Sequence, residues 1–210
     1  MKKIKICADP FPPYQYMNED GEAEGLDYGL IRDVLRDAGF STDVKIAPWN
    51  EVIGAFERKE YDVLFQVQDT PERREKYFLS YKLRDAVTDV VKAAGSDIQA
   101  DSYCDLSGYR VGLIAGFANG EDIDSLPDDC KVMHEDTRGM IDSLLSGKID
   151  VAVGDRGVVE YLSGADEKLV PIEALTYRRP LYVMFHDRDL RDSFNASLKK
   201  LVKNEEDRTV

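Results

Sequence analysis

The sequence predicts an α/β protein of two similar lobes, each a mostly parallel sheet flanked by helices. The segment 4–67 alternates strand-like runs with amphipathic helices in the order β-α-β-α-β, which is typical of a parallel, largely buried sheet. The same alternation restarts over 109–153. Two further strand-like runs, 86–94 and 181–185, follow the two halves, and we expect them to carry the chain from one lobe to the other.

The first half contains five predicted elements. Residues 4–8 form a short strand-prone run, which ends at Pro10 because proline cannot donate to a strand ladder. Apolar side chains recur at helical spacing over 25–39, and Gly39 suits the position just after a helix. The other elements of this half are a strand at 44–47, a helix at 49–58 and a strand at 62–67.

The second half repeats this plan. A strand at 109–114 leads into the glycine-bearing loop 115–120, and Thr137 is predicted to cap a helix with one apolar face. The remaining predicted elements are strands at 131–134 and 149–153, a short helix at 157–162 and a last helix at about 190–202.

The predicted domain boundaries follow from the two crossings. Residues 1–91 and 183–210 are assigned to lobe 1, and residues 92–182 to lobe 2. Two crossing strands make a hinge, and the cleft between two hinged lobes is the natural place for a ligand.

Charge and composition exclude several classes of partner. The chain has 210 residues, and its 41 acidic residues against 28 basic ones give a net charge of −13. A nucleic acid or an anionic membrane surface is therefore not an expected partner, because both require a basic surface. The N-terminal segment lacks the long apolar run of a signal peptide. That absence fits either a cytosolic protein or a mature segment without its targeting peptide.

The cysteines and histidines do not predict a metal site. Cys7 lies in the first strand-like run and is predicted to be a small buried side chain. Cys104 and Cys130 either form one disulfide in an oxidising compartment or remain free, and the sequence leaves both open. Two histidines, His134 and His186, are too few for a structural zinc site at these spacings.

Common enzyme motifs are missing from the sequence. It has no nucleophile elbow, phosphate-binding P-loop, dinucleotide fingerprint or zinc-protease helix. His134 and His186 are interpreted as strand-end residues without a catalytic partner. We therefore predict a protein that is not an enzyme and that uses no cofactor.

The candidate ligand-binding residues of lobe 1 follow its predicted strands. Arg73 lies just beyond the strand 62–67, where open α/β sheets bind ligands, and a guanidinium there can clamp a carboxylate with two hydrogen bonds. The alternative is only a well-formed helix start with Thr70 as its cap. Tyr14 and Trp49 lie in loops after strands, where aromatic rings either pack or form the wall of a pocket.

In lobe 2, the loop that contains Gly116, Phe117 and Ala118 follows a strand, and its small residues let backbone N–H groups approach an anion. Asp155 ends the third strand of this lobe. It either caps the next helix or accepts hydrogen bonds from an ammonium group, and taken alone the capping interpretation is favoured.

Eight segments carry a resemblance to a known family. They are 10–14 (PFPPY), 24–30 (EGLDYGL), 48–49 (PW), 61–63 (YDV), 70–73 (TPER), 78–80 (FLS), 105–112 (DLSGYRVG) and 147–155 (GKIDVAVGD). Together and in this order they resemble the extracytoplasmic solute-binding proteins of the polar amino-acid uptake type, bacterial family 3, and the related ligand-sensing domains. The resemblance covers nearly the whole chain.

The resemblance implies a periplasmic-binding-protein type 2 architecture with two hinge strands. A small amino-acid-like solute would lie in the cleft between the lobes. Arg73 would bind its α-carboxylate together with backbone N–H groups of the loop from Gly116 to Gly120. Asp155 would hold its α-ammonium, which reverses the preference for a capping role. The side-chain pocket would be lined by Tyr14 and Trp49.

One segment departs from the family pattern. Gln68 and Asp69 stand just before Thr70, where relatives often carry small hydroxyl residues or glycine. Bulkier polar groups are expected to narrow the pocket, and the charge of Asp69 favours a cationic or polar ligand.

The same resemblance implies the setting of the protein. Its place would be periplasmic or otherwise extracytoplasmic. Its partner would be an ABC-transporter permease if it serves uptake, or its own receptor signalling domains if it serves sensing. The alternative function is a dehydratase-like enzyme on the same scaffold, with Glu24, Asp69 or Asp155 as general acid.

Overall fold

In a computed structural model the chain divides into two α/β units, and the structure describes residues 1–117, 119–164 and 168–206. Unit 1 consists of Met1–Asp85 and of the segment that begins at Pro180, whereas unit 2 is the continuous segment Ala86–Arg179. None of the described helices carries an apolar stretch long enough to cross a lipid bilayer.

The elements of unit 1 come from both ends of the chain. Its N-terminal part contains β1 (Lys2–Ala8), β2 (Tyr16–Met17), β3 (Ala23–Glu24), α1 (Leu26–Asp37), β4 (Phe40–Ile46), α2 (Trp49–Glu57), β5 (Val63–Gln68), α3 (Pro71–Lys76) and β6 (Phe78–Leu79). The crossing strand β7 (Arg84–Ala93) then leads into unit 2.

Unit 2 contains β8 (Val111–Ile114), α4 (Glu121–Asp124), β9 (Lys131–His134), α5 (Thr137–Leu145), β10 (Val151–Asp155), α6 (Arg156–Ser163) and β11 (Leu169–Pro171). The crossing strand β12 (Tyr177–Phe185) returns the chain to unit 1, where α7 (Arg188–Glu206) follows.

The two units share one strand order. In unit 1, β1 is parallel to both β4 and β5, and β12 runs antiparallel along the other edge of β5. In unit 2, β8 is parallel to both β9 and β10, and β7 runs antiparallel along the other edge of β10. The short strands β6 and β11 add to β12 and β7, respectively. Each unit is thus three parallel strands plus one antiparallel strand, in the same order.

The chain crosses between the units earlier than the sequence-based boundaries of 91/92 and 182/183. Residues 88–91 of β7 already pair with β10 of unit 2. On the return, Leu181 and Tyr182 already pair with β5 of unit 1. Strand pairing, which a boundary drawn at the ends of apolar runs does not capture, therefore puts the crossings after Asp85 and Arg179.

Alternation along β1 separates two cores in unit 1. Ile4 and Ile6 are buried against α1 and α7, whereas Cys7 points to the opposite face and packs with Phe56 of α2. Burial raises the pKa of the Cys7 thiol to about 12, so that it stays a neutral small side chain. Cys104 and Cys130 are both free thiols.

The start of α5 differs from its prediction. Thr137 is the first helical residue, and the cap is Asp136, whose carboxylate accepts a hydrogen bond of 2.8 Å from the N–H of Gly139. Asp136 has the extended backbone that a capping residue requires, and its charge favours the positive end of the helix.

Gly25 lies between β3 and α1, and it is close to the loop after β1. Its φ of 126° lies in the region that favours glycine, and a Cβ placed there would lie 2.2 Å from the carbonyl oxygen of Tyr14. That same oxygen accepts hydrogen bonds from the N–H groups of Asp27 and Tyr28, at 2.9 and 3.2 Å. The loop carbonyls therefore cap α1, and only glycine permits so close an approach.

Gly25→Ala should lower the free energy of unfolding by at least about 3 kcal/mol, because it combines backbone strain with a clash against main chain. Gly21→Ala is the matched control: its φ of 78° is also positive, but nothing lies within 4 Å of the added Cβ. We expect the control to cost only roughly 1–2 kcal/mol. Equal losses for the two variants in urea denaturation would contradict the clash.

Candidate functional site

Three candidate side chains of unit 1 stand at one edge of its sheet. Asp9 follows β1, Trp49 begins α2 just after β4, and Arg73 lies on α3 just after β5. Because β4, β1 and β5 are parallel neighbours, their carboxyl ends share an edge, which is where open α/β sheets bind ligands. The packing of two of these side chains agrees, since the Arg73 guanidinium carbon lies 5.4 Å from the centre of the Trp49 ring.

Arg73 is a half-buried guanidinium that forms no ion pair with the described residues, although the charge of the neighbouring Glu72 acts on it. Its Nη1 donates to the carbonyl oxygen of Gln68 at 2.7 Å, and its backbone N–H donates to the capping hydroxyl of Thr70 at 3.3 Å. Burial lowers the pKa of Arg73 from its ordinary value. Both interpretations of this segment therefore apply, because Thr70 caps the helix and the Arg73 guanidinium is held at the sheet edge.

The structure gives Asp69 a partner that the sequence analysis did not foresee. Its carboxylate receives hydrogen bonds from Nε and Nη2 of Arg74, and these bonds lower the pKa of Asp69. The negative charge that was expected to favour a cationic ligand is thus balanced within the chain. Gln68 ends β5 and contributes its carbonyl oxygen to Arg73.

Tyr14 holds a cation of the protein itself. The guanidinium carbon of Arg84 lies 3.5 Å from the centre of the Tyr14 ring, and the Phe11 ring lies 6.0 Å from it. Arg84 in turn donates from Nε to both carboxylate oxygens of the buried Asp27, at 2.9 and 3.1 Å. One face of the Tyr14 ring is therefore occupied by Arg84, and the prediction that Tyr14 lines a ligand pocket stays a prediction.

Asp9 is the residue of this edge that the sequence analysis missed. It is 8% exposed, and no lysine or arginine in the described part of the chain pairs with it. Burial raises the pKa of its carboxyl to about 7, although a hydrogen bond from its own backbone N–H opposes the shift. The signal was available: Asp9 is the first acidic residue after a buried strand, at the sheet edge that binds ligands.

Unit 2 has a corresponding edge at the carboxyl ends of its parallel strands β8 and β10. Gly116 and Phe117 follow β8, and Asp155 ends β10. The N–H of Phe117 donates to the carbonyl of Ile114 at 3.2 Å, so this donor is used inside the loop. Ala118 lies outside the described residues.

Asp155 caps α6, as the first of its two interpretations predicts. Its Oδ1 accepts a hydrogen bond of 3.3 Å from the N–H of Val158, and the side chain is buried. The next residue, Arg156, donates to both carboxylate oxygens of the buried Asp89 at 2.7 and 3.0 Å. This ion pair joins the start of α6 to β7, and it holds the backbone from which the Asp155 side chain projects.

The two histidines lie at strand ends. His134 is the last residue of β9, and His186 follows β12. The His186 ring stacks on Phe56 with 4.0 Å between ring centres, and its Nε2 lies 2.7 Å from the Phe56 carbonyl oxygen. His186 therefore has structural surroundings, whereas His134 lies opposite Ile114 at the carboxyl end of a parallel strand of unit 2, with its Nδ1 3.0 Å from the carbonyl oxygen of Val132.

Sequence comparison connects the chain to binding proteins. The family model of the bacterial extracellular solute-binding proteins, family 3, matches residues 4–208. The chain is 26% identical over 213 aligned residues to the arginine-binding extracellular protein ArtP of Bacillus subtilis, a match that covers 98% of this chain and 82% of that protein. It is 24% identical to the L-cystine-binding protein TcyA of the same organism, over 91% of this chain and 72% of that protein.

Solved structures share the fold. The Gly52Ala mutant of arginine-bound ArgBP from T. maritima superposes with a TM-score of 0.82 at 21% identity, over 95% of each chain. A histidine kinase sensor domain with similarity to periplasmic binding proteins gives a TM-score of 0.84 at 20% identity, over 97% of this chain and 92% of that one. These matches confirm the predicted two-lobed α/β fold class. The family consists of binding proteins, which confirms the prediction that the chain is not an enzyme and leaves the dehydratase alternative without support.

The raised pKa of Asp9 predicts a pH dependence of folding. Below about pH 4 the carboxyl is protonated in both the folded and the unfolded chain, and above about pH 7 it is ionised in both. Between these values only the folded chain holds the proton, so the stabilisation due to Asp9 is lost as pH rises. Relative to Asp9→Asn, the wild type should lose up to about 1.4 kcal/mol of unfolding free energy per pH unit in this window. Urea denaturation at several pH values measures it, and parallel curves for the two proteins would contradict it.

Proposed function

The chain belongs to the bacterial extracellular solute-binding proteins of family 3, and on that premise we propose that it binds a free amino acid with a cationic side chain. The observation that carries the proposal is the half-buried guanidinium of Arg73 at the carboxyl edge of the unit 1 sheet, which forms no ion pair with the described residues. A planar guanidinium in such a place binds a carboxylate with two parallel hydrogen bonds.

Comparison with the other arginines supports a ligand for Arg73. Each of four other arginines donates to an aspartate of the chain, so its charge is already balanced. These pairs are Arg74–Asp69, Arg84–Asp27, Arg110–Asp150 and Arg156–Asp89. Within the described part of the chain the Arg73 guanidinium gives one hydrogen bond, to a carbonyl, and burial already weakens its protonated form. A ligand carboxylate would supply the missing counter-charge.

Asp9 supports a cationic ligand side chain. It is a buried carboxylate without a cationic partner among the described residues, and it stands at the same sheet edge as Arg73. An ammonium or guanidinium group of the ligand would ionise it and compensate the cost of its burial. Trp49, beside Arg73, would offer the ligand an apolar contact. One curated relative is named as an arginine-binding protein, which agrees with this choice.

Unit 2 is proposed to contribute to the same ligand. The backbone at Gly116 would donate to the α-carboxylate, and Asp155, as the family resemblance implies, would accept from the α-ammonium. Asp155 uses Oδ1 for its helix cap at a long 3.3 Å, and we assign the ammonium contact to Oδ2. Both groups stand at the carboxyl ends of parallel strands, the counterpart of the edge used in unit 1.

The proposed setting is outside the cytoplasm, where the ligand would be passed to an ABC-type permease or would control a receptor that contains the chain. Uptake of radiolabelled arginine by cells with and without the gene separates these roles. A loss of uptake supports delivery to a permease, whereas unchanged uptake with an altered transcriptional response to arginine supports sensing.

Arg73→Gln should abolish binding of L-arginine with little change in folding, because it removes the carboxylate clamp. The dissociation constant from calorimetry should rise by at least about 100-fold. Lys76→Ala is the matched control, since it removes the same charge from an exposed position of the same helix, where Lys76 pairs only with Glu72 among the described residues. Equal affinities of wild type and Arg73→Gln would refute the role of Arg73.

Arginine and its neutral analogue citrulline should respond differently to pH. Binding a guanidinium requires ionised Asp9, so below about pH 7 a proton must leave, and arginine affinity should fall by up to about 10-fold per pH unit. Citrulline affinity should stay nearly constant, and in Asp9→Asn the arginine curve should become flat. Parallel curves for both ligands in the wild type would exclude Asp9 as the cation acceptor.

A further inference from the structure

A buried carboxylate of unit 1 is hydrogen-bonded to two segments of the chain, and each segment leads to a residue that is proposed to bind the ligand. Asp27, in the first turn of α1, is 4% exposed. It accepts a hydrogen bond of 2.7 Å from Nε2 of Gln66 on β5, and a bifurcated hydrogen bond from Nε of Arg84 at the start of β7. The donors lie 39 and 57 positions along the chain, so neither contact is a local consequence of the helix.

The first contact holds a distortion of β5. Gln66 has a φ of 62°, which is uncommon for a residue other than glycine, and the pairing of β12 with β5 shifts register opposite it, between Tyr182 and Val183. Gln66 is therefore a bulge residue, and a bulge changes the direction of the strand beyond it. The strand then ends at Gln68, whose carbonyl holds Arg73. The hydrogen bond to Asp27 stabilises the strained residue from which the carboxylate-binding end of β5 continues.

The second contact holds the loop after β1. The Arg84 guanidinium is fixed by Asp27 on one side and lies against the Tyr14 ring on the other. Tyr14 belongs to a tight turn in which its N–H and that of Gln15 both donate to the Phe11 carbonyl, at 2.8 and 3.1 Å. The fully buried Gln15 donates from Nε2 to the carbonyl oxygen of Asp9 at 3.1 Å. Arg84 thus restrains the turn that restrains Asp9.

We propose that Asp27 is a positioning residue for ligand recognition: through Gln66 it orients the end of β5 that carries Arg73, and through Arg84 it orients the loop that carries Asp9. The inference rests on the proposed function, and it assigns a part in ligand recognition to three residues, Asp27, Gln66 and Arg84, that would not themselves contact the ligand. It also gives a role to the contact between Arg84 and one face of the Tyr14 ring. That ring receives the chain's own cation, and the ligand's cation is left to Asp9.

Stability alone does not account for this arrangement. A buried ion pair costs desolvation that its attraction only partly returns, and apolar replacements are often as stable. A glycine at position 66 would adopt the same φ without strain. Orientation of the ligand groups is the property that these particular side chains supply and that their apolar or glycine replacements would lose.

The test uses L-arginine and L-citrulline as probes, because they share the α-carboxylate and differ in the side-chain charge. Gln66→Gly keeps the backbone conformation and removes only the contact to Asp27. It should weaken both ligands by the same factor, about 10-fold. Arg84→Met should lower the affinity for arginine by about 10-fold more than that for citrulline, because it frees only the loop that carries Asp9. Arg84→Lys, which keeps the charge but not the planar stack, should recover part of the loss.

The direction in which Arg84→Met changes the preference for arginine over citrulline separates a positioning role from a purely electrostatic one. Removing a positive charge near the site would by itself strengthen arginine relative to citrulline, whereas positioning predicts the opposite. Leu190→Ala, which opens a cavity in the unit 1 core under α7, is the control for lost stability. Unchanged affinities in Gln66→Gly, or an arginine preference that rises in Arg84→Met, would overturn the inference while leaving the proposed function intact.

Amide hydrogen exchange on the ligand-free protein provides a second readout. In Arg84→Met the amides of Tyr14 and Gln15 should exchange at least about 10-fold faster than in Leu190→Ala, since the ring that holds their turn is released. Equal exchange in the two variants would overturn the inference. If the wild type binds neither arginine nor citrulline, the proposed function fails, and the exchange rates still decide whether Arg84 holds the loop.

Discussion

The parallel alignment of neighbouring strands is the constraint on which the rest of the molecule depends. Because β1 is paired in parallel with both β4 and β5, three segments far apart in sequence end at a common edge, where Asp9, Trp49 and Arg73 follow them. In unit 2 the same pairing of β8 with β10 joins the glycine loop to Asp155. The chemistry of each edge therefore follows from backbone hydrogen bonds made in the core.

Two buried carboxylates of this acidic chain are paired with arginines of the protein, and the buried charged groups that lack such a partner carry the functional argument. Asp27 and Asp89 are buried, and each has an arginine partner that donates to both of its carboxylate oxygens. For Asp27, burial raises the pKa and the contacts to Arg84 oppose that shift. Asp9 and Arg73 have no such partner in the described part of the chain, and burial acts against the charged form of each. One ligand that carries both signs of charge would satisfy both.

Periodicity located most strands and helices, because they are set by local patterns, although β4 begins four residues before the predicted strand 44–47 and Asp136 rather than Thr137 caps α5. The helix 49–58 and the strand 131–134, for instance, differ from α2 and β9 by at most one residue. Arg73 and Asp155 could be singled out because a position after a parallel strand already implies the sheet edge. The pairing of Arg84 with Asp27 and Tyr14, and that of Arg74 with Asp69, could not, because contacts between side chains depend on packing that one sequence does not display. The crossing points were misplaced for the same reason, since strand partners decide them.

The composition of unit 1 from two separate chain segments has a consequence for biosynthesis. Its core joins Ile4 and Ile6 of the first strand to Phe185 and Phe194 near the other end of the chain, whereas unit 2 is continuous. A ribosome completes unit 2 while unit 1 still lacks β12 and α7, so nascent chains would expose the apolar face of β1 until the last segment emerges. Folding of unit 1 therefore follows that of unit 2, and chaperone contacts during synthesis would concentrate there.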